Sequence, residues 1–258
     1  MGLIKDAGTL LGSLLASQLL PRPDSWIRKN YHGRDVSLSG GVATAAAVTL
    51  GSAAGGFNGL PVALTAGTAG FFGYRDDTDA HAGAAKGFSG HIAALKNGDL
   101  DTGMQKVVGI GVSALLSAAI CDARRKQWRM IPVDTVVIAG MANLINLMDL
   151  RPGRALKATI LAGIPFVMSA PVRTAIAAAI GALPADLREE TMLGDTGANA
   201  LGAALGAGIV QSSPGPVRVT IAVGIIGLTA ASEKVSFTRV IESNQVLSSI
   251  DNWGREPI

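Results

Sequence analysis

Four aspartates are the residues of this chain best placed to do chemistry. Asp76 and Asp77 follow an uncharged run from Val36 to Tyr74. Asp149 closes the uncharged run Thr135–Met148, and Asp195 directly precedes the uncharged run Thr196–Val217. A carboxylate at the rim of an apolar span is costly unless it is solvated, paired or holding a cation. These carboxylates recur at the ends of separate runs, so they can converge on one membrane face. The pattern predicts a metal-dependent site at the membrane surface. A hard cation such as Mg²⁺ needs only one or two carboxylates and completes its shell with water and substrate oxygens. Asp195 and one other aspartate therefore suffice.

The elements that must position these residues follow from the distribution of charge. The chain has 258 residues, 48% of them hydrophobic and only 16% charged, with a mean hydropathy of +0.38. Soluble domains carry roughly 25% charged residues. Here the charges cluster between long uncharged stretches, as a polytopic membrane protein requires. Nine stretches qualify: 3–20, 38–55, 59–75, 104–121, 132–148, 156–170, 172–185, 198–212 and 217–232. The expectation is an all-α, polytopic integral membrane bundle of about nine transmembrane helices over residues 1–232, followed by a cytoplasmic C-terminal tail, 233–258. Stretches 156–170 and 172–185 leave three options open: one bent helix, a re-entrant hairpin or two short spans. Pro165 and Pro171 favour a break between them. Gly202 and Gly206 form a small-xxx-small face suited to helix packing. The stretch Ala7–Leu20 reads as a retained first span rather than a signal peptide, because no clear A-x-A site follows it. The single cysteine, Cys121, excludes an internal disulfide and reads as a small apolar filler.

Orientation follows from lysine and arginine. The 21–37 loop carries Arg22, Arg28, Lys29 and Arg34, and the 149–157 loop carries Arg151, Arg154 and Lys157. Both are cytoplasmic if the N-terminus is outside, and all four aspartates then share the cytoplasmic side. Arg124, Arg125, Lys126 and Arg129 would lie outside, against the rule. No continuous basic helix with interleaved aromatics exists, so nucleic acid is not an expected partner. Residues 87–96 read as a short amphipathic helix on the headgroups. The tail reads as solvated with one surface helix, an interfacial or partner-binding role being the alternative.

Five stretches together resemble the polyprenyl-phosphate N-acetylhexosamine-1-phosphate transferase family. They are Gly33-Arg-Asp-Val-Ser-Leu-Ser-Gly-Gly41, the Asp76-Asp77 pair with Asp79, Lys86-Gly-Phe-Ser-Gly-His91, Asn143-x-x-Asn146-x-x-Asp149, and Gly194-Asp195-Thr196-Gly197. The resemblance implies a plasma-membrane, multi-pass enzyme with a cytoplasmic active site. It would move a sugar-1-phosphate from a UDP-sugar to a polyprenyl phosphate, with Mg²⁺ as cofactor and Mn²⁺ as a substitute. It puts Asp76 and Asp77 at the lipid-phosphate end and Asn143, Asn146 and Asp149 around the nucleotide and metal. Asp76, Asp77 and Asp195 are then the catalytic carboxylates, and Asp77, Asp149 and Asp195 the metal ligands. Lys86 matches a family lysine that neutralises phosphate. Arg151 and Arg154 are pyrophosphate contacts by charge and position alone. Asn199 is a further binding candidate or a residue that packs its own helix, and Asn143 and Asn146 serve equally well as interhelical hydrogen-bond partners. Asp79 and His91 read as solvated loop residues. A homodimer is compatible with these features.

The chain departs from the family's pattern, and its first stretch lacks the proline often found before the paired glycines. The family carries a histidine-rich cytoplasmic motif after the third aspartate site, whereas this chain has only His32, His81 and His91, all upstream. It also looks shorter than the family at its C-terminal end. Two alternatives to a UDP-sugar transferase therefore stay open. One is a transferase with another nucleotide-activated donor. The other is a non-catalytic scaffold or regulator that binds polyprenyl phosphate.

Overall fold

The computed structural model describes residues 2–79 and 102–255. The described residues are all-α apart from one small hairpin. Among them nine helices follow the nine apolar stretches: α1 (Gly2–Leu19), α2 (Ser39–Ala53), α3 (Leu60–Thr78), α4 (Thr102–Arg125), α5 (Ile131–Met148), α6 (Arg154–Gly163), α7 (Ala170–Leu187), α8 (Gly194–Ser212) and α9 (Gly215–Ser232). Two short helices, α10 (Phe237–Ser243) and α11 (Gln245–Asn252), form the tail. By length and composition, three segments are long and apolar enough to cross a membrane: Gly103–Arg125, Trp128–Met148 and Gly215–Ser232.

Alanine and glycine decide how the bundle packs. Every residue of α8 from Thr196 to Val210 is buried, which marks it as the central helix. It packs against α3 and α5. A Cβ on Gly202 would lie 2.4 Å from the Met141 carbonyl oxygen, and one on Gly206 2.9 Å from the Ile138 Cα. The small face read from the sequence is therefore the α5–α8 contact. The rim helix α9 buries only Arg218, Ala222 and Ile225 and exposes Val219, Val223, Ile226 and Leu228. Such an apolar outer face suits lipid.

The open question over 156–185 resolves as a helical hairpin. At ten residues, α6 is about 15 Å long. It is extended by a 3₁₀ turn at Ile164–Phe166 that contains Pro165, and Pro171 then sits in the first turn of α7. Gly163 packs on Ile176 and Val172.

One element has no counterpart in the reading of uncharged runs. Strands β1 (Ile27–Lys29) and β2 (Asp35–Ser37) pair antiparallel before α2. Gly33 takes the left-handed conformation (φ 75°). The Asn30 Oδ1 accepts from the backbone N–H of His32 and Arg34. Glu189, between α7 and α8, accepts from Asn30 Nδ2 and lies 2.8 Å from His32 Nδ1. The hairpin is thus fastened to the α7–α8 connection.

The tail is docked rather than free. The Arg154 guanidinium is bidentate on Asp251 (2.8 and 2.7 Å). Lys157 Nζ donates to the carbonyls of Ile250, Asp251 and Trp253, a cation at a helix C-terminus. Arg255 donates to the Pro152 carbonyl at 2.8 Å.

Candidate functional site

The site is built around the N-terminus of α8. The first four backbone N–H groups of a helix have no partner within it, and the dipole makes that end positive. Here the Asp77 carboxylate takes two of the four. Asp186, at the end of α7, and Asp149, after α5, lie beside the backbone N–H groups of Leu193 and Gly194. Asp77, at the end of α3, accepts from Asp195 N–H at 3.0 Å, Thr196 N–H at 2.9 Å and the Thr196 hydroxyl at 2.6 Å. Gly194 is in the left-handed region (φ 57°), and a Cβ there would strike the Asp77 carboxylate at 2.8 Å. Glycine is therefore required if Asp77 is to reach the turn.

A second glycine closes the site from the hairpin side. A Cβ on Gly41 would lie 1.8 Å from the Leu193 carbonyl oxygen. The Gly41 N–H donates to the Met192 carbonyl at 3.0 Å, and the Met192 N–H donates to the Ser37 carbonyl at 2.9 Å. The Gly40-Gly41 pair quoted in the sequence thus lets the start of α2 lie directly on the turn that carries Asp195.

The Asp195 side chain itself points elsewhere. Lys106, in the first turns of α4, places its ammonium between Asp76 (2.5 Å) and Asp195. The three side chains are 18%, 17% and 26% exposed respectively, so water reaches this bridge. Asn199 donates to the Asp195 backbone carbonyl at 2.7 Å, a bond within α8. Its packing role, one of the two readings open in the sequence, is the one on view.

The structure therefore gathers Asp76, Asp77, Asp149 and Asp195 at one end of the bundle. Of the three carboxylates expected to ligate a metal, Asp77 and Asp149 face backbone N–H groups, while Asp195 faces a cation together with Asp76. Among the described residues, no group of three or more His, Cys, Asp or Glu is arranged to hold a metal ion. Asp149 is held well above its ordinary carboxylate value, first by burial and then by the neighbouring charges of Asp186, Asp195 and Asp77.

A cleft of about 350 Å³ opens beside Asp149, bordered by Lys29, Tyr31, Arg151, Asp186 and Thr191. Arg151 lies over the Tyr31 ring, 3.2 Å from its centroid, and pairs with Glu242 at 2.8 Å. Arg151 is thus at the cleft, as expected of an anion contact. Arg154 is 4% exposed and bonded to Asp251, so its visible role is to anchor the tail. Asn146 is half-buried and Asn143 is exposed. Lys86 and His91, with the 87–96 amphipathic segment, lie outside the described residues.

Two site residues escaped the sequence reading. Asp186 falls one residue past the 172–185 stretch and is not singled out by it. Lys106 fell inside an uncharged-looking run as its sole charge between Thr102 and Cys121. A lone ionisable residue in a span is by default a functional candidate, and that signal was present. No family model and no curated protein matches the chain.

Proposed function

We propose that this protein is an integral-membrane phosphoglycosyltransferase that moves a sugar-1-phosphate from a UDP-sugar to a polyprenyl phosphate. In this reading the helix bundle lies in the membrane, with α6 too short to cross it alone, and the end carrying the aspartates faces the cytoplasm. The observation that carries the reading is the Asp76–Lys106–Asp195 bridge, set on a helix N-terminus that Asp77 and Asp149 hold in place.

Two anions must meet in such a reaction, and their repulsion has to be screened. Lys106 is the residue for this. Its flexible stem lets the ammonium leave the carboxylates for an incoming phosphate. Asp76 and Asp195, freed together, form the donor pair that suits Mg²⁺, which takes one or two carboxylates along with substrate oxygens. When bound, that ion would neutralise the diphosphate and stabilise the departing nucleotide phosphate. Asp77 and Asp149 act on Asp195 by fixing the turn that presents it. The cleft at Arg151 and Tyr31 suits the nucleotide donor, with a guanidinium for phosphate and a ring for stacking. An apolar groove of about 530 Å³ between α5, α6, α9 and α10, lined by Met141, Ile145, Phe166, Ile225 and Phe237, suits the acceptor's hydrocarbon chain.

A second reading has its own support. Each aspartate of the site already has a partner within the protein: Lys106 for Asp76 and Asp195, backbone amides for Asp77 and Asp149. A non-catalytic protein that binds polyprenyl phosphate would need no more. The missing histidine motif also leaves room for a different nucleotide-activated donor. The test is to incubate the purified protein with undecaprenyl phosphate, Mg²⁺ and a panel of UDP-sugars and to assay UMP. Release with one donor supports the transferase. Retention of the lipid without release from any donor supports the scaffold.

A further inference from the structure

The end of the bundle opposite the aspartates holds a cavity of about 470 Å³ with an unusual charge balance. Lys5, Arg124 and Arg125 border it, and no carboxylate does. Asp6, beside Lys5, pairs with Arg173 at 2.9 Å, and Asp122 pairs with Arg218 at 3.1 Å. The two cavity arginines donate to backbone carbonyls instead, Arg124 to Phe57 and Arg125 to Val210 and Gln211. Arg124 is exposed and Lys5 and Arg125 are half-buried, and an anion in the cavity would relieve the repulsion among the three.

Two further features point the same way. Helices α3 and α7 both begin at this cavity, at Gly59 and at Ser169–Pro171. Neither is capped by a side chain, so their positive ends face the cavity, although the Gly59 and Ser169 N–H groups donate to the Gly56 and Phe166 carbonyls. The Ser52 side chain, which also borders the cavity, is 2% exposed, and its hydroxyl has no hydrogen-bond partner. A buried hydroxyl without a partner is costly, and an acceptor oxygen in the cavity would relieve it. Near the helix ends that meet at this cavity in the chain, Leu3, Ile4, Phe57, Trp128 and Met168 are exposed. Apolar side chains with a tryptophan at helix ends mark the headgroup level of a bilayer.

We infer that this cavity binds a phosphate group on the membrane face opposite the aspartate site. The inference is independent of the transferase reading. It also gives a local reason for the arginines at 124 and 125 to stand on the face that the charge rule would leave poor in cations. A lipid headgroup and a soluble anion both present such a phosphate, and the experiment separates the two sources. The full chain in detergent is titrated with inorganic phosphate, and separately with mixed micelles of phosphatidylcholine with and without phosphatidylglycerol. Binding is read by calorimetry. One equivalent of phosphatidylglycerol or of phosphate is expected, the first result assigning a lipid and the second a soluble ligand. The Lys5→Gln/Arg124→Gln double variant should weaken that binding about tenfold or more. Arg34→Gln, on the other face, should not change it. If the double variant fails to fold, Lys5→Gln alone should weaken binding in the same direction. Wild-type protein that binds neither probe, or variants that bind as tightly as wild type, would overturn the inference.

Discussion

Two carboxylates bridged by one cation occur twice in this molecule, once at each end of the bundle. At the site end the members are Asp76, Lys106 and Asp195, each 17–26% exposed. At the opposite end they are Asp122, Arg218 and Asp134, at 0%, 1% and 0%. The parts are alike, but their surroundings assign different tasks. The sealed cluster joins α4, α5 and α9, and Gln127 completes it. A guanidinium enclosed in this way cannot exchange its partners, so the cluster holds helices. The open cluster has a flexible lysine and water access, so in the proposed reading its cation is the one traded for ligand. An ion cluster is read as a working site by whether its cation can move.

Replacing Arg218 should give the largest effect. Arg218→Met leaves two buried carboxylates uncompensated and should cost about 3–5 kcal/mol, seen as a lowered unfolding midpoint in detergent. Adding Asp122→Asn and Asp134→Asn should restore most of that loss. A single variant as stable as wild type would mean the sealed cluster is not what joins those helices.

Gly41→Ala comes next. Its Cβ would collide with the Leu193 carbonyl, so the turn must shift, at about 1–3 kcal/mol. Ligand binding at the aspartate end should fall further than stability does, because the same turn carries Asp195. Lys106→Met should be milder for folding, about 1 kcal/mol, since water reaches both carboxylates. It should nevertheless abolish phosphate-lipid retention. If Lys106→Met were as damaging to stability as Arg218→Met, the contrast between the two clusters would collapse.

The sequence announced some of this and concealed the rest for physical reasons. Run length and charge segregation place all nine helices, because a helix in an apolar setting needs an uncharged stretch. The ends were less legible. Helix α3 continues through Asp76 and Asp77, since those side chains find partners on α8 and α4. Lys106 was hidden because one charge hardly alters the hydropathy of a long run. The β1–β2 hairpin has only three residues per strand, too few for a periodic signal. The docking of the tail rests on Arg154 and Asp251, 97 positions apart, and no local pattern announces such a pair. The capping of α8 by Asp77 likewise exists only once α3 has met it.

The smallest expected effect concerns that tail. Burial alone would push Asp251 up, but Arg154 and Arg255 outweigh it and hold the carboxyl below its ordinary value. With the folded pKa depressed, the tail's docking is at full strength above the ordinary carboxylate value, about 4, and is lost as pH falls through the folded value. Trp253 fluorescence should therefore stay constant from neutral pH to about 4 and change only below it. Arg154→Gln should move that change to higher pH, and an unchanged profile would remove Arg154 as the anchor.

The central claim is that the cation of the open cluster can be exchanged for substrate and that Asp195 then serves the reaction. The most direct measurement is UMP release from UDP-sugars with undecaprenyl phosphate and Mg²⁺, comparing wild type with Asp195→Asn. The amide keeps the shape and removes the charge. Turnover in the wild type and none in a folded Asp195→Asn variant is the predicted result. Equal UMP release from the two proteins, or none from the wild type with any donor, would contradict it.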